Sequence, residues 1–265
     1  MSLKKAKLFF IMCGWIIGIS GCVAKSDYHS RFQQSSVLAK PTFNLGGLGT
    51  QFTFLVASDI HMSGTDTSRL ETILDAAKTN NDSFVVFLGD NIDKGEKNDF
   101  ETLKAKVAQY GFQEKAIFLL GNHDVFYDGW SAFKDLIGPS HYSVTLGNCR
   151  FIVLDSADGL IGEEQTEWLE EELKTSGPVH TLVLSHYMPV VPGQRTYLKL
   201  ANEVESIQLM KMMSRFGVNA WLGGHYHSYI QEKIEGVTYL VAGGGGGRRM
   251  EPVKEFFYVR GTVQD

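Results

Sequence analysis

Three runs of apolar residues along the chain each end in polar side chains. The runs are FTFLVASD (52–59), SFVVFLGD (83–90) and KAIFLLGNHD (115–124). Continuous apolar runs of this length are typical of strands buried on both faces of a sheet. Between them, residues 67–78 and 100–110 place apolar side chains at helical spacing, so the pattern predicts alternating strands and helices.

The pattern changes after the Gly-Pro turn at 138–139. Residues 141–155 predict two joined strands, residues 163–174 an amphipathic helix, and residues 179–186 another strand. A helix over 203–217 then precedes four closing strands, in the segments VNAWLGGH, YIQEKIEG, VTYLVAGG and FFYVRGTV. This order predicts an α/β protein with mixed sheets arranged in layers.

The first 21 residues predict a lipoprotein signal peptide. Lysines at 4, 5 and 7 precede an apolar run over residues 8–19, which is shorter than the roughly 20 residues that a bilayer span needs. The run ends in ISGC, which resembles the bacterial lipobox, so Cys22 is expected to be the lipidated first residue of the mature protein. An ordinary secretory signal with a chance cysteine is the alternative.

Residues 22–50 are polar and aperiodic, and we expect them to be a tether between the lipid and one domain over residues 51–265. The protein is then expected to be exported and anchored to a membrane, at the periplasmic face or at the cell surface.

The net charge and the cysteine content limit the kinds of partner and the sources of stability that we expect. The formal net charge of −5 argues against nucleic acid as a partner, because it leaves no broad basic surface. Removal of the signal removes Cys13 and lipidation would occupy Cys22, so Cys149 would be the last free thiol and no internal disulfide is expected. Cys149 is expected to be a buried apolar side chain.

Polar clusters fall at the ends of the predicted strands, and they contain five of the eight histidines. The loops after the carboxyl ends of strands in α/β sheets converge on one crevice, so these side chains are expected to meet. A single histidine at a strand end is more often structural, but the ordered set is far more specific. The clustered residues are Asp59 and His61, Asp90 and Asp93, Asn122 and His123, His186, and His225 and His227.

Aspartate and neutral histidine are ligands for Zn, Mn, Fe or Mg. Asp59 and His61 are two residues apart, so both side chains can point the same way in an extended segment. Asp90 has two carboxylate oxygens and can bridge two ions. Two divalent ions at this place would attract an anionic phosphate and activate water, which predicts hydrolysis of a phosphate-ester substrate.

The ordered motifs D-x-H, G-D-x-x-D, G-N-H-D, H and G-H-x-H resemble those of the calcineurin-like metallophosphoesterases, over roughly residues 52–262. The resemblance implies a four-layer α/β/β/α sandwich of two mixed sheets, with a dinuclear metal site at the strand carboxyl ends. It also implies two ligand sets, which are Asp59, His61, Asp90 and His227 for one ion, and Asp90, Asn122, His186 and His225 for the other.

The same resemblance implies that His123 donates to the phosphate or protonates the leaving oxygen, and that Asp93 orients His123. Asp124 is expected to fix the loop. Asp93 stands where iron-tyrosinate purple acid phosphatases have tyrosine, so no purple colour is expected. Lys94 stands where Ser/Thr protein phosphatases have arginine, which removes a bidentate contact to phosphate.

The glycine-rich stretch 243–247, followed by Arg248 and Arg249, lacks the ending of a phosphate-binding loop and is expected to be a flexible turn near the site. That Arg248 and Arg249 face the substrate is the alternative. Residues 187–197 directly follow His186 and are expected to contact substrate. No site for an organic cofactor is predicted.

The sequence as a whole predicts an exported, lipid-anchored phosphoesterase that hydrolyses phosphate mono- or diesters by a metal-bridging hydroxide. The alternative is a non-catalytic surface lipoprotein that keeps the metal site for stability or for binding a partner.

Overall fold

The computed structural model describes residues 27–248, 250, 253 and 255–264. The predicted signal peptide over residues 1–21 and the predicted lipidation site Cys22 lie outside the described residues. Within the part that is described, no helix has the length and apolar character needed to cross a membrane.

Helices and strands alternate through most of the chain. The helices are α1 (Tyr28–Ser36), α2 (Ser68–Thr79), α3 (Lys97–Gln109), α4 (Gly129–Leu136), α5 (Glu163–Lys174) and α6 (Glu203–Arg215). The strands are β1 (Phe52–Ala57), β2 (Phe84–Phe87), β3 (Ala116–Phe118), β4 (Tyr142–Leu146), β5 (Cys149–Val153), β6 (His180–Leu184), β7 (Ala220–Gly223), β8 (Tyr229–Ile234), β9 (Val237–Ala242) and β10 (Val259–Val263).

Two mixed sheets form the centre of the fold. In the first sheet, β1, β2 and β3 are parallel neighbours, and β10 pairs antiparallel with β1. In the second sheet, β5, β6, β7 and β9 are parallel, while β4 and β8 pair antiparallel at the two edges. This arrangement confirms the predicted α/β fold of two mixed sheets.

Three apolar layers separate the sheets and helices, which gives four layers of secondary structure. Alternate side chains of a strand face opposite ways, so Phe54 packs between the sheets while Leu55 packs with residues of α2 and α3. Phe54 stacks on Phe84, and Phe151 from the second sheet meets both rings edge-on at 5.4 Å. The third layer joins the second sheet to α5 and α6.

Cys149 lies in the layer between the two sheets, as the sequence predicts. Its side chain is buried, and burial raises the pKa of the thiol to about 12. A thiol that remains protonated is a poor nucleophile and a poor metal ligand, so Cys149 acts as a small apolar side chain.

Residues 27–38, which we call the strap, pack against the domain where the sequence predicts a tether. Asp27 caps α1 through a hydrogen bond of 2.8 Å from a backbone N–H in the first turn. Arg31 is fully buried, and its Nε donates to Asp155 at 2.8 Å while its Nη1 donates to Asp158 at 3.1 Å. Asp155 follows β5 closely, so this ion pair fixes the strap at the carboxyl ends of the parallel strands.

The other end of the strap contacts α4 and the segment before β4. Ser35 Oγ accepts hydrogen bonds from the backbone N–H groups of Ser140 and His141 at 2.9 and 3.3 Å. Phe32 stacks on the His141 ring with centroids 4.3 Å apart. The described part of the expected tether is therefore folded onto the domain, because buried partners far along the chain hold its polar side chains.

The buried ion pair gives a test of this docking. Arg31→Ala would leave Asp155 buried without its counter-charge, which is expected to lower the free energy of unfolding by about 3–5 kcal/mol. Urea denaturation measures this value. Val37→Ala is the control, because Val37 at the end of α1 is 84% exposed, and it should change stability by less than about 0.5 kcal/mol. Equal stability of the two variants would contradict docking through Arg31.

Candidate metal centre

Five loops bring the predicted site residues together at one edge of the two sheets. The loops follow β1, β2, β3, β6 and β7, so each begins at the carboxyl end of a parallel strand. All nine predicted residues reach this edge, and each approaches at least one other member. They are Asp59, His61, Asp90, Asp93, Asn122, His123, His186, His225 and His227.

The backbone of these loops is left-handed at several side chains of the site. Asp59, His61, Asp90 and His225 have φ values of 58°, 49°, 49° and 62°. Non-glycine residues rarely adopt this conformation, which costs on the order of 1–3 kcal/mol where the surroundings enforce it. Hydrogen bonds hold it here, since the His225 N–H donates to both Asp59 oxygens at 3.1 Å and the His61 N–H donates to the Asp90 carbonyl at 3.0 Å.

The first cluster consists of Asp59, His61, Asp90 and His227. Each residue offers one ligand atom, and these atoms all lie within 4.8 Å of one another. His227 Nε2 is 3.2 Å from Asp59 Oδ1 and 3.4 Å from His61 Nε2. The sequence predicts this same group as the ligands of one ion.

The second cluster consists of Asp90, His186 and His225, with the ligand atoms again within 4.8 Å of one another. His186 Nε2 is 3.3 Å from Asp90 Oδ2 and 3.2 Å from Asn122 Oδ1. Asp90 belongs to both clusters, so its carboxylate is placed where a bridging ligand is predicted.

His123 and Asp93 lie beside the two clusters. The Asp93 carboxylate is 3.4 Å from His61 Nδ1 and 3.6 Å from His123 Nδ1. The shorter contact to His123 comes from the Asp93 backbone, because His123 Nδ1 is 2.8 Å from that carbonyl oxygen. Asp93 therefore orients His123 through its main chain, and its carboxylate lies between two imidazoles.

Backbone carbonyl groups also orient two rings within the clusters. His186 Nδ1 is 2.9 Å from the Leu88 oxygen, and His227 Nδ1 is 2.6 Å from the Arg248 oxygen. A carbonyl can only accept, so each Nδ1 donates and each Nε2 is turned toward the cluster. This arrangement fixes tautomer and ring orientation in metal-binding histidines.

Asp59 and Asp90 are buried carboxylates that neighbouring histidines keep ionised. Burial opposes ionisation, but His186 and His61 outweigh it and hold the pKa of Asp90 far below its usual range. Burial is likewise outweighed at Asp59, where a hydrogen bond to His227 and the charge of His186 lower the pKa. In turn Asp90 overcomes the burial of His186 and raises its pKa to about 9.

The donor set fits divalent cations. Burial, with the charge of His186 adding to it, lowers the pKa of His225 to about 3, so this ring is neutral at pH 7. Its Nδ1 is buried without a hydrogen-bond partner among the described residues. Such an atom is costly to bury, and a cation would satisfy it. Carboxylate and amide oxygens with neutral imidazoles are ligands that Zn, Mn, Fe and Mg accept.

Asp124 holds the loop that carries Asn122 and His123, as the sequence predicts. Its buried carboxylate accepts hydrogen bonds from the backbone of Gly121 and Ile92 at 2.9 and 3.1 Å. Burial, with the nearby charge of Asp90, raises the pKa of Asp124 to about 7.

Tyr187 contacts the site through His225, and the sequence alone does not predict this contact. Its ring stacks on His225 with centroids 3.7 Å apart, and its backbone N–H donates to Ser156 Oγ at 2.8 Å. The position directly after His186 was the available signal, since the segment 187–197 was expected to contact substrate.

The glycine stretch 243–247 lies near the site, as the sequence predicts, and is packed closely against it. A Cβ atom added to Gly247 would lie 2.4 Å from His227 Cε1 and 2.8 Å from His61 Cδ2. The Gly247 N–H donates to the Asp59 carbonyl at 2.8 Å. Sequence alone does not show that these glycines permit a close backbone approach, and Arg249 lies outside the described residues.

Comparisons with known proteins found similar sequences and structures. The calcineurin-like phosphoesterase family model matches residues 52–229. A cAMP/cGMP dual specificity phosphodiesterase of Mycobacterium tuberculosis is 30% identical over 174 residues, which is 60% of this chain and 52% of that protein. A 3',5'-cyclic adenosine monophosphate phosphodiesterase of Escherichia coli K12 is 29% identical over 130 residues, covering 45% of this chain and 46% of its own.

The chain thus spans about half the length of the curated relatives it matches. Among solved structures, a purple acid phosphatase from yellow lupin (Lupinus luteus) superposes with a TM-score of 0.64 at 16% identity. The match covers 85% of this chain and 50% of that one. At this level of identity the match shows a shared fold.

Gly247→Ala tests the close approach of the glycine stretch. The added Cβ would displace His227 or His61, so the affinity for Mn²⁺ or Zn²⁺ is expected to fall by about tenfold or more. Isothermal titration calorimetry measures the affinity. Gly49→Ala is the control, because a Cβ there meets nothing within 4 Å. Unchanged metal affinity in Gly247→Ala would show that His61 and His227 do not hold the ion.

Proposed function

The chain belongs to the calcineurin-like phosphoesterases, and on this basis we propose that it hydrolyses phosphate esters with two divalent metal ions. The observation that carries the proposal is the pair of clusters that share Asp90, with His123 beside them. The donor set suits Mn, Fe, Zn and Mg.

The two ligand sets follow from the clusters. Asp59, His61, Asp90 and His227 would hold one ion, and Asp90, Asn122, His186 and His225 the other. Ions bound there supply Lewis acidity, which offsets charge on a phosphoryl group and makes water more acidic. A histidine that binds a metal must be neutral, so with the ions bound only Asp59 and Asp90 would bring negative charge, at most two units, and the site would remain attractive to an anion.

His123 is placed to move a proton to or from a substrate. Its Nδ1 donates to the Asp93 carbonyl, which leaves Nε2 available. Its ring is partly exposed and contacts His61 edge-on with centroids 4.4 Å apart. An imidazole in this position can protonate the oxygen that leaves phosphorus.

The substrates are proposed to be phosphodiesters. Both curated relatives described above are named as cyclic nucleotide phosphodiesterases, and their names support a diester over a monoester as substrate. The alternative of a non-catalytic metal-binding lipoprotein is less well supported, because a scaffold does not need His123 held beside the clusters.

The protein is further proposed to be exported and anchored to a membrane through lipid on Cys22. The support is the N-terminal sequence, with its lysines, short apolar run and ISGC ending. One or more acyl chains would add about 0.8 kcal/mol of membrane affinity for each buried CH₂ group.

Asp90→Asn tests the hydrolytic mechanism. The change removes the shared negative charge, so metal content should fall and kcat/KM should drop by more than about 100-fold. The assay uses bis(4-nitrophenyl) phosphate and 4-nitrophenyl phosphate with each of the four metals. Asp75→Asn on the exposed face of α2 is the control and should behave as wild type. Hydrolysis at the wild-type rate by Asp90→Asn would refute the mechanism.

Cys22→Ser tests the anchor. Wild-type protein is expected in the membrane fraction and should incorporate a labelled fatty acid, whereas the variant should lose the label and leave that fraction. Cys13→Ser lies within the predicted signal and serves as the control that keeps both properties. A wild-type protein without label, recovered in the soluble fraction, would exclude the lipid anchor.

A further inference from the structure

Phe126 is a partly exposed aromatic side chain in contact with His123. The two ring centroids are 4.8 Å apart, and 39% of Phe126 remains exposed. His123 in turn meets His61 edge-on at 4.4 Å. The three rings therefore form a row that leads from the surface to the first metal cluster.

The loop around Phe126 is held in a defined conformation. The Phe126 N–H donates to the His123 carbonyl at 3.2 Å, and the Gly129 N–H donates to the Phe126 carbonyl at 2.9 Å. Gly95 packs so closely that an added Cβ would lie 2.3 Å from the Phe126 oxygen. Tyr127, the next residue, has a φ of 53°. Backbone strain of this kind is a reason to look for a function.

Single exposed apolar residues are common on protein surfaces and by themselves indicate nothing. Phe126 differs because its ring lies against the imidazole that the proposed function assigns to the leaving oxygen. In that reaction the oxygen of water bonds to phosphorus and water releases one proton to solvent. The bond from phosphorus to the leaving oxygen breaks, and His123 protonates that oxygen and then recovers a proton from solvent. The group attached to the leaving oxygen must then lie beside His123, within reach of Phe126.

We propose that Phe126 recognises a flat aromatic ring in the leaving group of the substrate, an inference that rests on the proposed function. Aromatic rings stack on flat π systems and discriminate against saturated rings of similar size. A nucleobase or an aryl group has the required chemistry. The held loop presents the Phe126 face in advance, so little ordering is needed when the ring binds.

The probes are benzylphosphonate, which carries a flat ring, and cyclohexylmethylphosphonate, which carries a saturated ring of similar size. Neither can be hydrolysed at its carbon–phosphorus bond by this reaction. Calorimetry on the purified, metal-loaded protein gives both dissociation constants. We expect wild type to prefer benzylphosphonate by about fivefold or more, the lower end for loss of one stacked ring. Phe126→Leu should remove this preference, and Phe126→Trp should keep it.

Phe216→Leu is the matched control, because Phe216 is a partly buried aromatic residue in the turn between α6 and β7, before the amino end of that strand. It should retain the wild-type preference. Equal affinities in wild type would overturn the proposal, as would a preference that survives in Phe126→Leu. If Phe126→Leu lowered the affinity for both phosphonates by a similar factor, that result would also overturn the proposal, since Phe126 would then act only by supporting His123.

Calorimetry and the ester-hydrolysis assay described above together keep this inference separate from the proposed function. A protein that prefers benzylphosphonate through Phe126 but hydrolyses neither mono- nor diesters would refute the function and retain the recognition. A protein that hydrolyses esters without any preference between the two rings would do the reverse.

Discussion

The burial of the Asp90 carboxylate is the constraint around which the site is arranged. Asp90 Oδ1 accepts a hydrogen bond from the His123 N–H at 2.8 Å, while Oδ2 faces His186 at 3.3 Å and His61 at 3.6 Å. Removing such a charge from water costs several kcal/mol unless opposite charge and hydrogen bonds surround it. The loops after the neighbouring strands must therefore approach the loop that follows β2 and carries Asp90.

Backbone groups, more than side chains, hold the histidines around Asp90. Carbonyl oxygens of Leu88, Asp93 and Arg248 each face an Nδ1 atom, and the glycine stretch 243–247 brings one of these carbonyls into place. Main-chain atoms at the end of a packed sheet have few alternative positions. Backbone contacts of this kind restrict the positions of the ligand rings, and a fixed arrangement of charges and dipoles is the condition for efficient electrostatic catalysis.

Much of this arrangement could be predicted from the sequence, because its signals are local. Apolar runs that end in Asp, Asn or His mark buried strands and the loops after them, and the order of these loops indicates the shared edge. The strap could not be predicted, since it depends on the ion pair of Arg31 with Asp155, 124 residues further along the chain. The close packing of the glycine stretch could not be predicted for a related reason, because a close approach between backbones leaves no periodic pattern.

The docked strap shortens the distance at which lipid on Cys22 would hold the domain from the membrane. Only five residue steps separate Cys22 from Asp27, where the folded strap begins. At full extension they reach about 18 Å, whereas a tether running to residue 50 would allow several times that distance. Because the strap is fixed beside the edge that carries the candidate metal centre, the domain would be confined to a thin zone above the lipid headgroups. Esters that diffuse within that zone would meet it far more often than those in the bulk solution.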